Sequence, residues 1–278
     1  MTITQKRKTM KVLGTVFAAV VSIIHIFPII VVLVNSFRDN EQIDKQLLGI
    51  PDRLNFSNYI VAWQRGNYLQ AYMNSLLIGI ATSVIVLIIV SLAVYGLTKV
   101  PCYFANFSQS YFVAGLAIPS FAVIVPLFFT FTKMGIANTP LCMIIIYSAT
   151  NISFNFIFVH AYFQGLSKEL DEAARIDGAS ELQNFVYNTI PLAKPIFTSV
   201  LLIVFVNTWN EFLFSNTFLQ SDKVRTVSLK FYAFVGKMGA DYGYIYAAAI
   251  ISILPIVLIF LIMQKSFVEG MTAGSVKG

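Results

Sequence analysis

Apolar positions in this chain neither alternate nor confine themselves to one helical face. They run on in six stretches, interrupted by charge at a single residue, Glu211. The stretches are Val12–Phe37, Ala71–Leu97, Tyr111–Phe131, Pro140–Tyr162, Ile196–Leu219 and Ile245–Met263. Each is about 19–27 residues long, against the ~20 a helix needs to cross the hydrocarbon core of a bilayer. Helices are the expected form because lipid offers no partner to an unpaired backbone group, and the two-residue alternation of a membrane barrel is absent. Pro28, Gly79, Gly96, Gly115, Pro119, Pro126 and Pro255 punctuate the spans. Both residue types are common in membrane helices, so by themselves they mark no translocation path. No internal repeat is visible.

Composition agrees with the pattern. The 278 residues are 57% hydrophobic and only 12% charged, where a soluble domain carries roughly a quarter charged residues. A soluble fold could not hide so much apolar surface, and a disordered chain would be poor in it. The net charge of +6 fits loop lysines and arginines that set membrane orientation better than it fits nucleic-acid binding. Cys102 and Cys142 form no C-x-x-C pair, and His25 and His160 stand alone in apolar surroundings, so no metal site is expected. Lys6, Arg7, Lys8 and Lys11 precede the first span like the start of a signal peptide, yet its apolar run is too long and no cleavage site follows. It reads as a retained helix. The cytoplasmic segments would hold ten basic residues and the outer loops nine. The N-terminal cluster rather than the total therefore puts the N-terminus in the cytoplasm, and six spans return the C-terminus to the same side.

One cytoplasmic connector, Gln164–Pro195, is too long to be a simple link. Ser167 is placed to cap a helix whose opening turns carry Glu169, Asp171 and Glu172, where the helix dipole favours negative charge. Leu170, Ala173, Ala174 and Asp177 share one mostly small face. Gly178 suits the left-handed residue that ends a helix, and Ser180 with Gln183 forms a capping box for a second one. Such a pair could rest on the membrane surface, but five charges within eight positions and a small apolar face suit docking on a protein partner better.

The run Glu172-Ala173-Ala174-Arg175-Ile176-Asp177-Gly178-Ala179, followed by Phe185, Pro191-Leu192 and Pro195, resembles the EAA motif of binding-protein-dependent ABC importer permeases. Asn35-Ser36-Phe37, Asn74-Ser75, Trp209-Asn210 and the ending Gly270–Gly278 are similar to the carbohydrate-uptake branch, specifically the smaller six-span subunit of maltose-type and multiple-sugar-type importers. Two positions depart from the pattern: Ser167-Lys168 stands where a proline usually opens the docking helix, and Asn188 replaces an isoleucine.

The resemblance implies an all-α integral membrane fold, that of a type I importer transmembrane domain. Residues 1–70 would hold the N-terminal segment, first helix and outer loop. Residues 71–264 would form the transmembrane core with the coupling loop 164–195, and 265–278 a cytoplasmic tail. It implies an inner or plasma membrane protein importing a sugar, an oligosaccharide by preference, beside a second permease, two ATPase subunits and an extracytoplasmic solute-binding protein. Glu172, Ala173, Ala174, Asp177 and Gly178 would contact the ATPase. Gly274, Ser275 and Lys277 could reach the ATPase dimer, although a glycine-rich terminus also reads as frayed. The chain contains no G-x-x-x-x-G-K-[ST] and no catalytic constellation, so no cofactor is expected in it, and ATP and magnesium would belong to the partner.

An ionisable residue at membrane depth is a functional candidate, and Glu211 next to Trp209 and Asn210 could meet a sugar or serve a structural hydrogen bond. Asn155, with Asn151 and Ser153, is a similar candidate. The outer segment 220–243, with Lys223, Arg225, Lys230 and Lys237, would suit the solute-binding protein or be a solvated loop. Two other classes compete. An ion-coupled transporter would show paired intramembrane carboxylates or inverted symmetry, and a membrane-embedded enzyme would show clustered acidic metal ligands. Neither pattern is present.

Overall fold

The computed structural model describes residues 3–100, 103–239 and 241–273, and every regular element among them is helical. In chain order the α-helices are α1 (Ile3–Asn35), α2 (Asn40–Lys45), α3 (Ser57–Gly66), α4 (Tyr68–Thr98), α5 (Ala105–Ala114), α6 (Ile124–Lys133) and α7 (Pro140–Phe163). There follow α8 (Lys168–Ile176), α9 (Glu181–Asn184), α10 (Ile190–Leu192), α11 (Lys194–Asn210), α12 (Leu213–Phe218), α13 (Val227–Met238) and α14 (Tyr242–Ala273). They divide into two compact units, one of Met1–Asn67 with Phe231–Leu254, the other of Tyr68–Lys230 with Pro255–Gly278.

In the first unit the apolar length of α1, Met10–Asn35, buries none of its most hydrophobic stretch, so that surface is left for lipid or another chain. Its C-terminal end is closed by Arg38, a residue counted above as a loop charge but only 3% exposed. The guanidinium donates to Asn35 Oδ1 at 2.6 Å and to the Gln42 carbonyl at 2.6 Å, a cation placed where the helix dipole is negative. Asn58 Nδ2 donates to the carbonyls of Ser36 and Arg38 at 2.9 and 3.0 Å, fastening α3 to the same corner.

The second unit is built on α4, α7 and α11. Val86, Val90 and Val94 recur at i, i+4 on α4 and pack with Phe156, Val159 and Val200, the periodicity a helix face requires. Helix α7 begins where Thr139 Oγ1 accepts the Cys142 N–H and Pro140 occupies the first turn, a position where the missing proline donor costs nothing.

Four spans appear as single helices, close to the predicted bounds. The other two are broken. The predicted span Tyr111–Phe131 is a pair of helices bent by 85°, because Ile118 lies before Pro119 and both residues are extended; a residue preceding proline is driven from the helical region. Pro126 falls in the first turn of α6 and breaks nothing. The predicted span Ile196–Leu219 stops at Asn210, Glu211 is extended, and α12 resumes from Leu213. The Glu211 carboxylate accepts the N–H groups of Phe214 at 2.8 Å and Ser215 at 3.1 Å, supplying the donors of the new helix start with the partners that lipid would deny them.

The helix before the tail also runs further than predicted. α14 continues to Ala273, and Gly270 is buried against the start of α11. A Cβ there would meet the Pro195 carbonyl oxygen at 2.6 Å as well as Ser199 Oγ, so this is a close approach of two backbones rather than a frayed end. Gly274, Ser275 and Lys277 lie outside the described residues. Gly270→Val should therefore lower the thermal stability of the detergent-purified chain by about 1–3 kcal/mol, the usual range for overpacking. An unchanged melting curve would contradict this packing.

Candidate functional site

The connector 164–195 folds as its local signals require. Ser167 Oγ accepts the Glu169 N–H at 3.2 Å and opens α8. The helix ends at Gly178, whose φ of +83° is one that a side chain opposes. Ala179 N–H bonds to the Ala174 carbonyl at 2.9 Å and Gly178 N–H to the Arg175 carbonyl at 3.1 Å, a Schellman arrangement that satisfies the last carbonyls. Ser180 and Gln183 make the reciprocal capping box of α9. Beyond it the chain widens into a π turn, Phe185–Thr189, and bends by 77° at Ala193 into α11. Asn188 has a structural part here, donating to Asn184 Oδ1 at 2.9 Å.

Helix α8 has two unlike faces. Outward stand Glu172, Ala173, Asp177 and Gly178, all exposed, with Leu170 and Ile176 beside them. Inward stand Asp171 and Ala174, at 7% and 9% exposure. The face read from spacing thus divides: Ala174 packs into its own chain, whereas Glu172, Ala173, Asp177 and Gly178 are available to another.

The inward face meets the end of α4. Lys99 Nζ lies 2.7 Å from Asp171 Oδ2, with both side chains under 10% exposed. Asn184 Nδ2 donates to the other carboxylate oxygen at 3.1 Å. Arg175 donates to the Lys99 carbonyl at 2.7 Å and to Glu181 Oε1 at 2.8 Å. The Tyr95 hydroxyl donates to Glu181 Oε2 at 2.9 Å, and the Tyr95 and Phe185 rings lie 4.9 Å apart. The Arg175 guanidinium, with help from Tyr95, holds the Glu181 carboxyl below its usual range. Lys99, Tyr95, Glu181 and Asn184 were not legible as site residues. The one available signal was a lone lysine ending an apolar run.

A second polar region lies along α7 and α11. Asn207 and Asn210, one turn apart on α11, are exposed, and Asn207 donates to Asn151 Oδ1 at 3.1 Å. The residues singled out nearby by sequence are differently placed. Asn155 is fully buried, its amide donating to the Asn151 carbonyl at 2.8 Å. Trp209 is 3% exposed and edge-on to Tyr72. Glu211 is engaged by the α12 start and by the Tyr147 hydroxyl. Of that group Asn210 alone presents its side chain outward. Beside α7, the elbow between Ile118 and Ser120 borders a half-open cleft of about 540 Å³, apolar but carrying the hydroxyl-bearing side chains of Tyr111, Ser120, Thr150 and Ser153. In the segment 220–243, Lys230 and Arg225 pair with Asp222 at 2.6 and 3.5 Å, while Lys223 and Lys237 are exposed. Among the described residues no cluster of three or more His, Cys, Asp or Glu side chains could hold a metal ion.

The chain is similar to known transport proteins. The model of the binding-protein-dependent transport system inner membrane component matches residues 101–273. The melibiose/raffinose/stachyose import permease protein MelC of Bacillus subtilis is 30% identical over 275 residues, covering 98% of this chain and 99% of that one. The trehalose/maltose transport system permease protein MalG of Thermococcus litoralis is 32% identical over 275 residues, with 96% and 97% covered. A chain of a bacterial ABC transporter involved in the import of the acidic polysaccharide alginate has the same fold, with a TM-score of 0.79 at 21% identity over 94% of this chain and 98% of that one. The chain is a multi-pass membrane protein belonging to the family of inner membrane components of binding-protein-dependent transport systems.

Proposed function

We propose that this permease carries an oligosaccharide inward, and that α8 is where an ATPase subunit grips it. The observation that carries the reading is the division of α8 into an anchored inner face and an exposed outer one. The outer face, with Glu172, Ala173, Asp177 and Gly178, has the acidic and small residues that fit a groove on a partner. Docking there lets closure of two ATPase subunits displace the cytoplasmic helix and, through it, the spans. A displacement drives a switch only if contacts differ between the two states.

The substrate class rests on two supports. Relatives are named for melibiose, raffinose and stachyose, for trehalose and maltose, for arabinooligosaccharides and for diacetylchitobiose. Exposed amides at membrane depth are also costly against lipid, so Asn207 and Asn210 suit a water-filled passage or a second permease. Amide groups both donate and accept, as recognition of sugar hydroxyls requires. A solute-binding protein would deliver the sugar from outside, with Lys223 and Lys237 placed to meet it. The N-terminal basic cluster and the coupling loop then share the cytoplasmic side with the C-terminus.

In the reconstituted transporter, Glu172→Lys should abolish stimulation of ATP hydrolysis by the loaded binding protein. Gly178→Val should reduce it about tenfold, since a left-handed φ costs a side-chain-bearing residue roughly 1–2 kcal/mol. Gly178→Asn should reduce it far less, because asparagine tolerates that conformation. Normal stimulation in both Glu172→Lys and Gly178→Val would remove α8 from the coupling route. Asn207→Leu with Asn210→Leu should leave assembly intact and lower sugar uptake into proteoliposomes about tenfold, the size of one or two lost hydrogen bonds. Unaltered uptake would place the passage elsewhere.

A further inference from the structure

The inward face of α8 carries more than packing. By chain connectivity α8 follows α7 through residues 164–167 and leads to α11 through the bent segment. No covalent path joins it directly to α4. Yet the end of α4 receives a buried ion pair from Asp171, a charge-assisted bond from Arg175 to the Lys99 carbonyl, and the Tyr95 contacts to Glu181 and Phe185. We propose that these groups clamp α8 to α4, making Lys99, Asp171 and Arg175 positioning residues through which movement of the gripped helix is delivered to α4 as one rigid piece. The inference rests on reading α8 as the gripped segment and adds which span it drives.

The physical case is the burial of the pair. Two charges withdrawn from water recover their desolvation penalty only with close geometry and further hydrogen bonds. Lys99 and Asp171 have both, at 2.7 Å with Asn184 on the second oxygen. Removing one member leaves a buried charge alone, so the contact resists being opened part-way. Arg175 acts at the same place differently, putting positive charge on the Lys99 carbonyl just past the C-terminus of α4, where the helix dipole favours it, while its Nε holds the start of α9 through Glu181. The outer face of α8 takes no part in these contacts, so a partner can press on it without disturbing them.

The test uses the assembled transporter with Cys102 and Cys142 replaced by alanine. Spin labels at Leu92→Cys on α4 and Lys168→Cys on α8, both exposed positions, report their separation in the nucleotide-free and ATP-trapped states. The clamp predicts one unchanged distance distribution. Lys99→Met combined with Asp171→Leu, which leaves no lone buried charge, should broaden and shift that distribution. It should also cut binding-protein stimulation of ATP hydrolysis about tenfold while the basal rate stays near its original value. A wild-type distance that changes between the two states overturns the clamp, and so does full stimulation in the double variant. If the double variant fails to assemble, the wild-type distances decide. Glu172→Lys and Gly178→Val separate the two ideas: should both retain the ATPase subunit and full stimulation, the gripped-helix reading fails, whereas their loss of stimulation beside a normal Lys99→Met/Asp171→Leu variant removes the clamp alone.

Discussion

Lipid offers no hydrogen bonds, and the second unit is organised around the places where its helices nevertheless stop. At Pro119 the span gives up a helical turn and bends by 85°, and the elbow is anchored on α7 where the Phe112 and Phe156 rings stack at 4.2 Å. At Glu211 a carboxylate replaces the missing helix turn as acceptor for two N–H groups. At Ala193 a π turn and the buried Thr189 carbonyl, which accepts the Ala193 N–H at 2.8 Å, carry the chain through its bend. Each interruption is held by a named group, so the breaks are fixed features of the fold and not loose ends.

The same constraint shapes the surroundings of α8. The end of α4 is a helix C-terminus leaving the membrane with unpaired carbonyls and a lysine. Arg175 takes a carbonyl and Asp171 takes the lysine, and in doing so they turn α8 so that Glu172 and Ala173 face away. The orientation of the exposed face therefore follows from how the buried face is satisfied. A helix held by apolar packing alone would have a less defined rotation, because its small inward residues, Ala174 among them, offer little shape to fix it.

Much of the fold could be read from the residues because an uninterrupted apolar run has few alternatives in a bilayer. α4 and α7 begin and end close to their predicted bounds for that reason. The breaks were hidden because hydrophobicity averages over them: Pro119 sits among apolar neighbours, and nothing in the run through Asn210 shows that Glu211 will serve as a cap. In the connector 164–195 the capping residues and Gly178 were legible, since they act on their own backbone. The Lys99–Asp171 pair was not, because its members lie on separate elements and either one reads as an ordinary loop charge. Asn188 departs from the family pattern, and its amide is held by Asn184 one turn away. Asn155 and Trp209 were reasonable sugar contacts by residue type, but spacing alone does not say which side of a helix faces inward.

The claim on which the account rests is that the outer face of α8 touches an ATPase subunit on the cytoplasmic side. A photoreactive amino acid at Ala173, activated in the intact membrane with all partner subunits present, tests it most directly. The account predicts a single major adduct with the ATPase subunit. Adducts with lipid alone, or with a protein on the outer side, would contradict it.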